Sequence, residues 1–277
     1  MPTLEKFAAM KIGKTALAAL FLVLAVLPRG LEAQPLTADY LAAVALASQG
    51  KFSEARKAFQ EIIAAAPPHE RAGRCLKILE DLEAQKINNQ TAAHLFKGLA
   101  YFYQDRLQKA LAEANLAVQI SPKYARAYGA RGGYYFALGQ HKKALADYRR
   151  ALELDPQSDG AYYNRGCLYL DTEEYGRAIQ NFDRAVKINP KFASAFYNRG
   201  IAHFRRGEFL WALADFKRAA EINPHLPEAQ MNLGVVLEEL GKYKEAAAAY
   251  KKFLQSAPPR LSREIGYAKK RLEVLQK

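Results

Sequence analysis

The chain has 277 residues, 50% of them hydrophobic, and carries 41 Lys and Arg against 28 Asp and Glu, a formal net charge of +13. It contains no phosphate-binding glycine loop, no nucleophile elbow and no paired histidines at metal-ligand spacing. These features exclude the enzyme classes that such motifs mark. We therefore expect a non-enzymatic protein with no cofactor and no metal site.

The first 33 residues predict a secretory signal peptide. Lys11 and Lys14 precede an apolar run at 15–27, and Ala33 offers a small residue at the expected cleavage point. The run is short for a membrane span, although an uncleaved N-terminal anchor remains the alternative. We expect an exported protein, periplasmic or secreted, whose translation starts at Met1 or Met10. Removal of 1–33 takes away four basic and two acidic residues, which lowers the charge from +13 to +11.

A repeat of 34 residues follows. Prolines mark it at Pro122, Pro156, Pro190, Pro224 and Pro258. In phase with them recur glycines (Gly98, Gly132, Gly166, Gly200, Gly234) and alanines (Ala110, Ala144, Ala178, Ala212, Ala246). An aromatic residue follows the alanine by four positions in four of these copies, at Tyr148, Phe182, Phe216 and Tyr250, whereas Ala114 breaks the pattern. Each unit is predicted to form two amphipathic helices, with a glycine at their close approach, an aromatic wedge towards the next pair and a terminating proline.

This pattern resembles the tetratricopeptide repeat (TPR) family, and the stretch 161–190 matches it well. The resemblance implies an all-α, helix-turn-helix solenoid with a right-handed superhelix and a C-terminal capping helix. In chain order we expect a signal peptide at 1–33, a degenerate first repeat at 34–69 and a spacer helix and turn at 70–90. Regular repeats are expected at 91–124, 125–158, 159–192, 193–226 and 227–260, and the capping helix at 261–277. Leu76, Leu79 and Leu82 share one face of the spacer helix.

The resemblance also implies a concave groove lined by the first helix of each repeat. Carried over position by position, it gives these groove candidates: Phe102, Tyr103, Arg126, Phe136, Tyr163, Asn164, Tyr197, Asn198, Ile201, Phe204, Arg205, Asn232 and Glu238. The exposed aromatics would anchor a peptide, Asn164 and Asn198 would fix its backbone register, and the charged positions would select the partner. Packing between repeats is the alternative role for the aromatics.

Two further features stand outside the groove. Leu210 and Trp211 begin a second helix in a phase that is usually polar, which leaves two interpretations: packing on a neighbouring turn, or a convex partner patch. Cys75 and Cys167 are 92 residues apart, and a linear array is expected to hold them far from each other as two packed free thiols.

The sequence thus favours a protein–protein interaction scaffold of the bacterial cell envelope that binds a peptide segment in its groove. The alternative is a structural or assembly subunit of a secretion, pilus or cell-wall complex, held by convex-face and end contacts. The basic residues recur with the repeat, as at Arg150, Arg184, Arg218 and Lys252, so they do not indicate specific nucleic-acid binding. Weak attraction to anionic envelope surfaces is expected instead. The partner's identity and the oligomeric state are not encoded in recognisable motifs.

Overall fold

The computed structural model describes residues 37–65 and 69–276, and the predicted signal peptide lies outside these ranges. The described residues form 14 α-helices and one short 3-10 helix, with no β-strand among them. The all-α prediction is confirmed. The helices are α1 (Ala38–Ser48), α2 (Phe52–Ala65), α3 (Glu70–Glu83), α4 (Asn89–Tyr103), α5 (Leu107–Ile120), α6 (Ala125–Ala137), α7 (His141–Leu154), α8 (Asp159–Asp171), α9 (Tyr175–Ile188), α10 (Ala193–Arg205), α11 (Phe209–Ile222), α12 (Pro227–Glu239), α13 (Tyr243–Ser256) and α14 (Ser262–Leu275).

The described residues fall into two compact units, 37–195 and 196–276, and the boundary lies inside α10. The first unit contains α1 to α9 and the first turn of α10. The second contains the rest of α10 and α11 to α14. Within each unit, consecutive helices pair as antiparallel hairpins, as the 34-residue period predicts.

The repeating glycines lie beneath the repeating aromatic rings. A Cβ atom added to Gly132 would come within 2.7 Å of the Tyr148 ring, and one added to Gly166 within 2.7 Å of the Phe182 ring. Gly200 has the same relation to Phe216 in the second unit. The aromatic therefore packs on the glycine of its own hairpin, and the expectation that it chiefly fills the wedge towards the next pair needs this correction.

The exception at Ala114 has its own packing solution. The first regular repeat has no ring to place over Gly98, and Tyr134 from the following repeat takes that position. A Cβ added to Gly98 would lie 3.2 Å from the Tyr134 hydroxyl oxygen. Tyr134 packs with Ala110 and Ala114 in one apolar cluster, so a residue from the next hairpin fills the space that the small side chain leaves.

An arginine in the first helix of three hairpins binds a polar side chain 16 residues further on, in the second helix. Arg131 donates two hydrogen bonds to the Asp147 carboxylate, both at 2.8 Å, and Arg199 does the same to Asp215 at 2.8 and 2.6 Å. Arg165 donates to the Asn181 side-chain oxygen at 2.7 Å. Charge-assisted pairs of this kind are strong and directional, so these arginines fix the two helices of a hairpin against each other.

The turn inside each hairpin requires a left-handed backbone. Gly139, Gly207 and Gly241 have φ values of 71°, 75° and 70°, as expected for the glycines predicted to supply these turns. In two other hairpins, Asp105 and Glu173 adopt φ values of 57° and 61° at the equivalent position. The turn geometry is thus kept where the sequence lacks glycine, at the cost of a strained residue.

Two neighbouring glycines offer a sharp test of this packing. Gly132→Ala should destabilise the fold by about 1–3 kcal/mol, because the new methyl group overlaps the Tyr148 ring. Gly133→Ala should stabilise it by about 0.5–1 kcal/mol, because helix propensity improves and nothing lies within 4 Å of the added Cβ. Urea unfolding of both variants measures the difference. Equal effects of the two substitutions would contradict the glycine–ring contact.

Candidate functional site

Helix α3 crosses the starts of three other helices in the first unit. Asp81 contacts the start of α6, Lys77 lies 3.7 Å from Asp159 at the start of α8, and Glu70 bonds to Ser194 in the first turn of α10. Arg74 lies 5.7 Å from the centre of the Phe192 ring, just before α10. The contacting positions of α3 are 70, 74, 77 and 81, which share one face at helical spacing.

At one end of this face Asp81 accepts three side-chain hydrogen bonds. The Tyr124 hydroxyl donates at 2.8 Å, Arg126 Nε at 3.0 Å and Lys86 Nζ at 3.0 Å. Burial opposes ionisation of this carboxyl, but the three donors outweigh it and lower the pKa of Asp81 below its ordinary value. Asp81 is thus held as a carboxylate between α3 and the N-terminus of α6.

At the other end Glu70 caps the start of α10. Its carboxylate accepts hydrogen bonds from the Ser194 backbone N–H at 3.1 Å and from the Ser194 hydroxyl at 2.6 Å. An acceptor at a helix start satisfies a donor that the helix itself leaves open, and a negative charge there interacts favourably with the helix dipole. Burial nevertheless raises the pKa of Glu70, despite the lowering by these hydrogen bonds.

A second face of α3 is apolar and packs on the first hairpin. Ala72, Cys75 and Leu79 are buried in one cluster with Tyr40 of α1 and Phe59 of α2. Leu76 packs against the same cluster, so the predicted leucine face is the one that docks there. The Tyr40 hydroxyl lies 3.5 Å from Cys75 Sγ and 3.2 Å from the Tyr103 hydroxyl. These contacts fix α3 from the side opposite to its charged face.

Between α3 and helices α4, α6 and α8 lies a cavity of about 260 Å³. Its lining includes all six groove candidates of the first unit: Phe102, Tyr103, Arg126, Phe136, Tyr163 and Asn164. The sequence pattern therefore identified residues that the fold brings together. It did not identify the remaining wall, which α3 and Tyr40 supply. The only sequence signal for that wall was the departure of 70–90 from the repeat.

The predicted exposure of several groove candidates is wrong. Tyr163 is only 2% exposed, and its ring centre lies 4.7 Å from that of Phe192. The other first-unit candidates are half-buried. Tyr163 packs where two hairpins meet, which is the alternative role weighed for these aromatics. Its part in binding remains a prediction.

The second unit shows the same burial. Tyr197, Ile201, Phe204 and Asn232 are all buried, and the Asn232 amide donates a hydrogen bond to the Tyr197 hydroxyl at 3.1 Å. This asparagine therefore binds a side chain of its own unit. Asn198 and Arg205 are half-buried.

The acidic groove candidate Glu238 binds within the second unit. It accepts hydrogen bonds from Arg271 of α14 and, at 2.6 Å, from the Tyr250 hydroxyl. Helix α14 also packs on α13, and Arg260 just before it pairs with Glu228 at 2.8 Å. The carboxylate expected to select a partner instead holds the C-terminal helix.

Both cysteines are buried free thiols, and both line the same cavity. The expectation that the array holds them far apart is therefore wrong, because α3 folds back across the repeats and carries Cys75 to the wall opposite Cys167. Burial raises the pKa of the Cys75 thiol to about 11. It is thus protonated and a weak nucleophile at neutral pH.

Leu210 and Trp211, here called the Leu210–Trp211 patch, remain exposed at the start of α11. Leu210 is 69% exposed and Trp211 is 67% exposed. The His203 ring stacks on the indole, with ring centres 6.0 Å apart and planes 22° from parallel. Packing on the preceding helix therefore covers only part of the tryptophan, and most of its surface is open.

Two structural absences apply to residues 37–65 and 69–276. Within these ranges no three His, Cys, Asp or Glu side chains form a group that could hold a metal ion. None of the helices there has the length and apolar character that a membrane crossing requires.

The family model described as tetratricopeptide repeat matches residues 9–70, 163–227 and 212–260, and a second model described as TPR repeat matches 132–172. The first alone covers more than half of the sequence. The chain belongs to the tetratricopeptide repeat family. No curated protein matches it in sequence.

Solved TPR structures share its fold. PilF of Pseudomonas aeruginosa is 20% identical with a TM-score of 0.59, over 67% of this chain and 88% of that one. PilW, described as a widely conserved type IV pilus biogenesis factor, is 22% identical with a TM-score of 0.57, over 68% of this chain and 91% of that one. MamA is 24% identical with a TM-score of 0.52, over 57% of this chain and 93% of that one.

The TPR fold supports a protein–protein interaction scaffold, and TPR proteins bind protein or peptide partners. Scaffolds of this family are generally non-enzymatic.

Asp81→Asn tests the anchoring of α3. The variant should lose about 1–3 kcal/mol of unfolding free energy at pH 7, since a charge-assisted pair to Arg126 is removed. Because the folded-state pKa of Asp81 is lowered, its contribution is complete above the unfolded pKa of about 4 and is lost as the pH falls through the folded value. The gap between wild type and variant should therefore shrink in acid, as followed by urea unfolding across pH.

Glu153→Gln is the matched control for that experiment. Glu153 pairs with Arg150 on the open surface of α7, where the side chain of Glu153 is 63% exposed. Exposed pairs contribute little, so this variant should stay within about 0.5 kcal/mol of wild type at every pH. A pH-independent loss in Asp81→Asn would instead indicate a packing defect.

Proposed function

We propose that this chain is a non-enzymatic interaction scaffold of the bacterial cell envelope that docks a partner protein on the Leu210–Trp211 patch. One observation carries the proposal. Leu210 and Trp211 are adjacent, apolar and 69% and 67% exposed, whereas the aromatic groove candidates Tyr163, Tyr197 and Phe204 are buried. A large exposed apolar pair has the chemistry of an interface, and tryptophan is enriched among residues that dominate binding energy.

The geometry around the patch favours a preformed docking site. His203 supports one face of the indole and is itself held by a 2.6 Å hydrogen bond to Glu208. Arg206 pairs with the same carboxylate at 2.9 Å, which gives the patch a polar neighbour. A fixed aromatic group beside satisfied polar groups loses little conformational freedom on binding. The matching partner surface is an apolar pocket that receives the indole.

Groove binding is the second candidate, and the cavity is the observation that favours it. Six residues chosen for a peptide groove line one space of about 260 Å³. That space is smaller than the usual range of ligand pockets, about 300–1,000 Å³, and α3 closes one side of it. A partner segment bound there would place a single anchor side chain in the cavity, beside Asn164.

The envelope location rests on the sequence of the first 33 residues, which lie outside the described ranges. We propose that export removes them, leaving a periplasmic or secreted chain with a charge of +11. N-terminal sequencing of the protein from its host tests this directly. A start at residue 34 supports export with cleavage, and an intact Met1 or Met10 end contradicts it.

The docking proposal is tested by affinity capture from envelope extract with cross-linking. The double variant Leu210→Ser with Trp211→Ser should lose the captured partner, whereas Gly133→Phe, which fills the cavity, should keep it. Leu116→Ser is the control, because Leu116 is also exposed, at 41%, but lies in the first unit. Loss of the partner with Gly133→Phe alone would assign the binding to the groove.

Tryptophan fluorescence gives an independent measurement with the identified partner. The chain contains one Trp, so every emission change reports on Trp211. Docking should shift the emission to shorter wavelength and protect the indole from acrylamide quenching, because the partner excludes water. Binding with unchanged emission and quenching would rule out the Leu210–Trp211 patch as the docking site.

A further inference from the structure

We propose that the cavity of the first unit is a binding site for a small carboxylate with an apolar body of about ten non-hydrogen atoms. The acid group would lie among Arg71, Arg74 and Arg126. The apolar body would lie between the aromatic side chains of α4, α6 and α7. This site is separate from the Leu210–Trp211 patch, which belongs to the second unit.

The charge of the lining carries the first step. Arg71, Arg74 and Arg126 all line the cavity, and no Asp or Glu is among its lining residues. Arg71 is a largely buried residue, 7% exposed. Three guanidinium groups facing one small space favour an anion there, and guanidinium groups match the geometry of a carboxylate.

The acidic side chains nearest to this end are already engaged. Asp81 accepts the Arg126 Nε hydrogen bond, and Glu70 accepts both hydrogen bonds from Ser194. Asp159 accepts a hydrogen bond from Asn189 at 2.9 Å. Arg126 therefore brings a partly neutralised charge, whereas Arg71 and Arg74 come from α3, the segment outside the regular repeat.

Two helix starts add to the positive potential of the same end. Ala125 and Arg126 are the first residues of α6, and Ser158 and Gly160 lie at the start of α8; all four line the cavity. The Ser158 side chain makes no capping hydrogen bond to α8. Helix N-termini present open N–H groups and a partial positive charge, which reinforces the preference for an anion that the arginines create.

The rest of the lining is apolar and aromatic. Leu99, Phe102, Tyr134, Phe136 and Tyr148 contribute to it, and the ring centres of Phe102 and Tyr134 are 5.6 Å apart. Gly129 and Gly133 also line it, and nothing lies within 4 Å of a Cβ added to either, so both face open space.

Size sets the ligand class. An engineered apolar cavity of about 150 Å³ holds benzene, so 260 Å³ admits a body of about ten non-hydrogen atoms. Phe102, Arg126 and Phe136 are each half-buried, which leaves a way in from solvent. The combination fits a compact amphipathic acid such as an arylalkanoate or a medium-chain fatty acid.

The test is calorimetric titration of the full chain with 3-phenylpropanoate and octanoate, each beside its neutral amide. The acids should bind with a Kd of about 1 mM or below, and the amides at least about tenfold more weakly, because charge-assisted hydrogen bonds are lost. Comparable binding of acid and amide would overturn the assignment of the arginines. Absence of binding by either acid at about 10 mM, some tenfold above the expected Kd, would overturn the site.

Variants locate the binding and separate it from folding defects. Gly133→Phe should abolish binding by filling the cavity, and Arg74→Gln should weaken it about tenfold. Gly266→Phe is the matched control, because Gly266 is an exposed glycine of α14 with nothing within 4 Å of its Cβ position. Circular dichroism and thermal unfolding confirm that each variant is folded. Unchanged binding in folded Gly133→Phe would overturn the proposal.

The same titration distinguishes this proposal from the docking proposal. The double variant Leu210→Ser with Trp211→Ser should bind 3-phenylpropanoate as wild type does, because both residues lie outside the first unit. Loss of acid binding in that variant would count against the cavity. Loss of the partner protein with acid binding retained would support the two sites as separate.

Discussion

The charged face of α3 is the constraint on which the first unit depends. Side chains at 70, 77 and 81 engage the starts of α10, α8 and α6 in turn, and the apolar face of the same helix docks on the first hairpin. A helix fixed on both sides closes what would otherwise be an open groove. The enclosed cavity, its arginines and the shared exposure of two cysteines to one space all follow from that placement.

The local features were predictable because they depend on residues close in sequence. The glycine–ring contact joins positions 16 apart, as with Gly132 and Tyr148, and recurs with every hairpin. Helix breaks fall where Pro and Gly require them. Six groove candidates were also found to share one cavity, because a position within a repeat determines which side of a first helix it occupies.

The path of α3 was not predictable in the same way. The Glu70–Ser194 contact spans 124 residues, and no periodicity relates the two positions. A leucine face shows that a helix packs, but not against what. Burial of Tyr163 and Tyr197 was equally undetermined, because an aromatic residue on a first helix suits both a ligand surface and a joint between hairpins. The neighbours settle that choice, and they come from other repeats.

The contacts of α3 also bear on how this array can change in length. Regular solenoids gain or lose repeats easily, since each unit touches only its neighbours. Here the 11 residues from Glu70 to Asp81, about 16 Å of helix, span the starts of three successive first helices. An inserted or deleted repeat within this span would bring the wrong helix starts opposite these side chains. Helix α3 therefore acts as a ruler, and this part of the chain has lost the freedom to evolve by duplication that its family otherwise has.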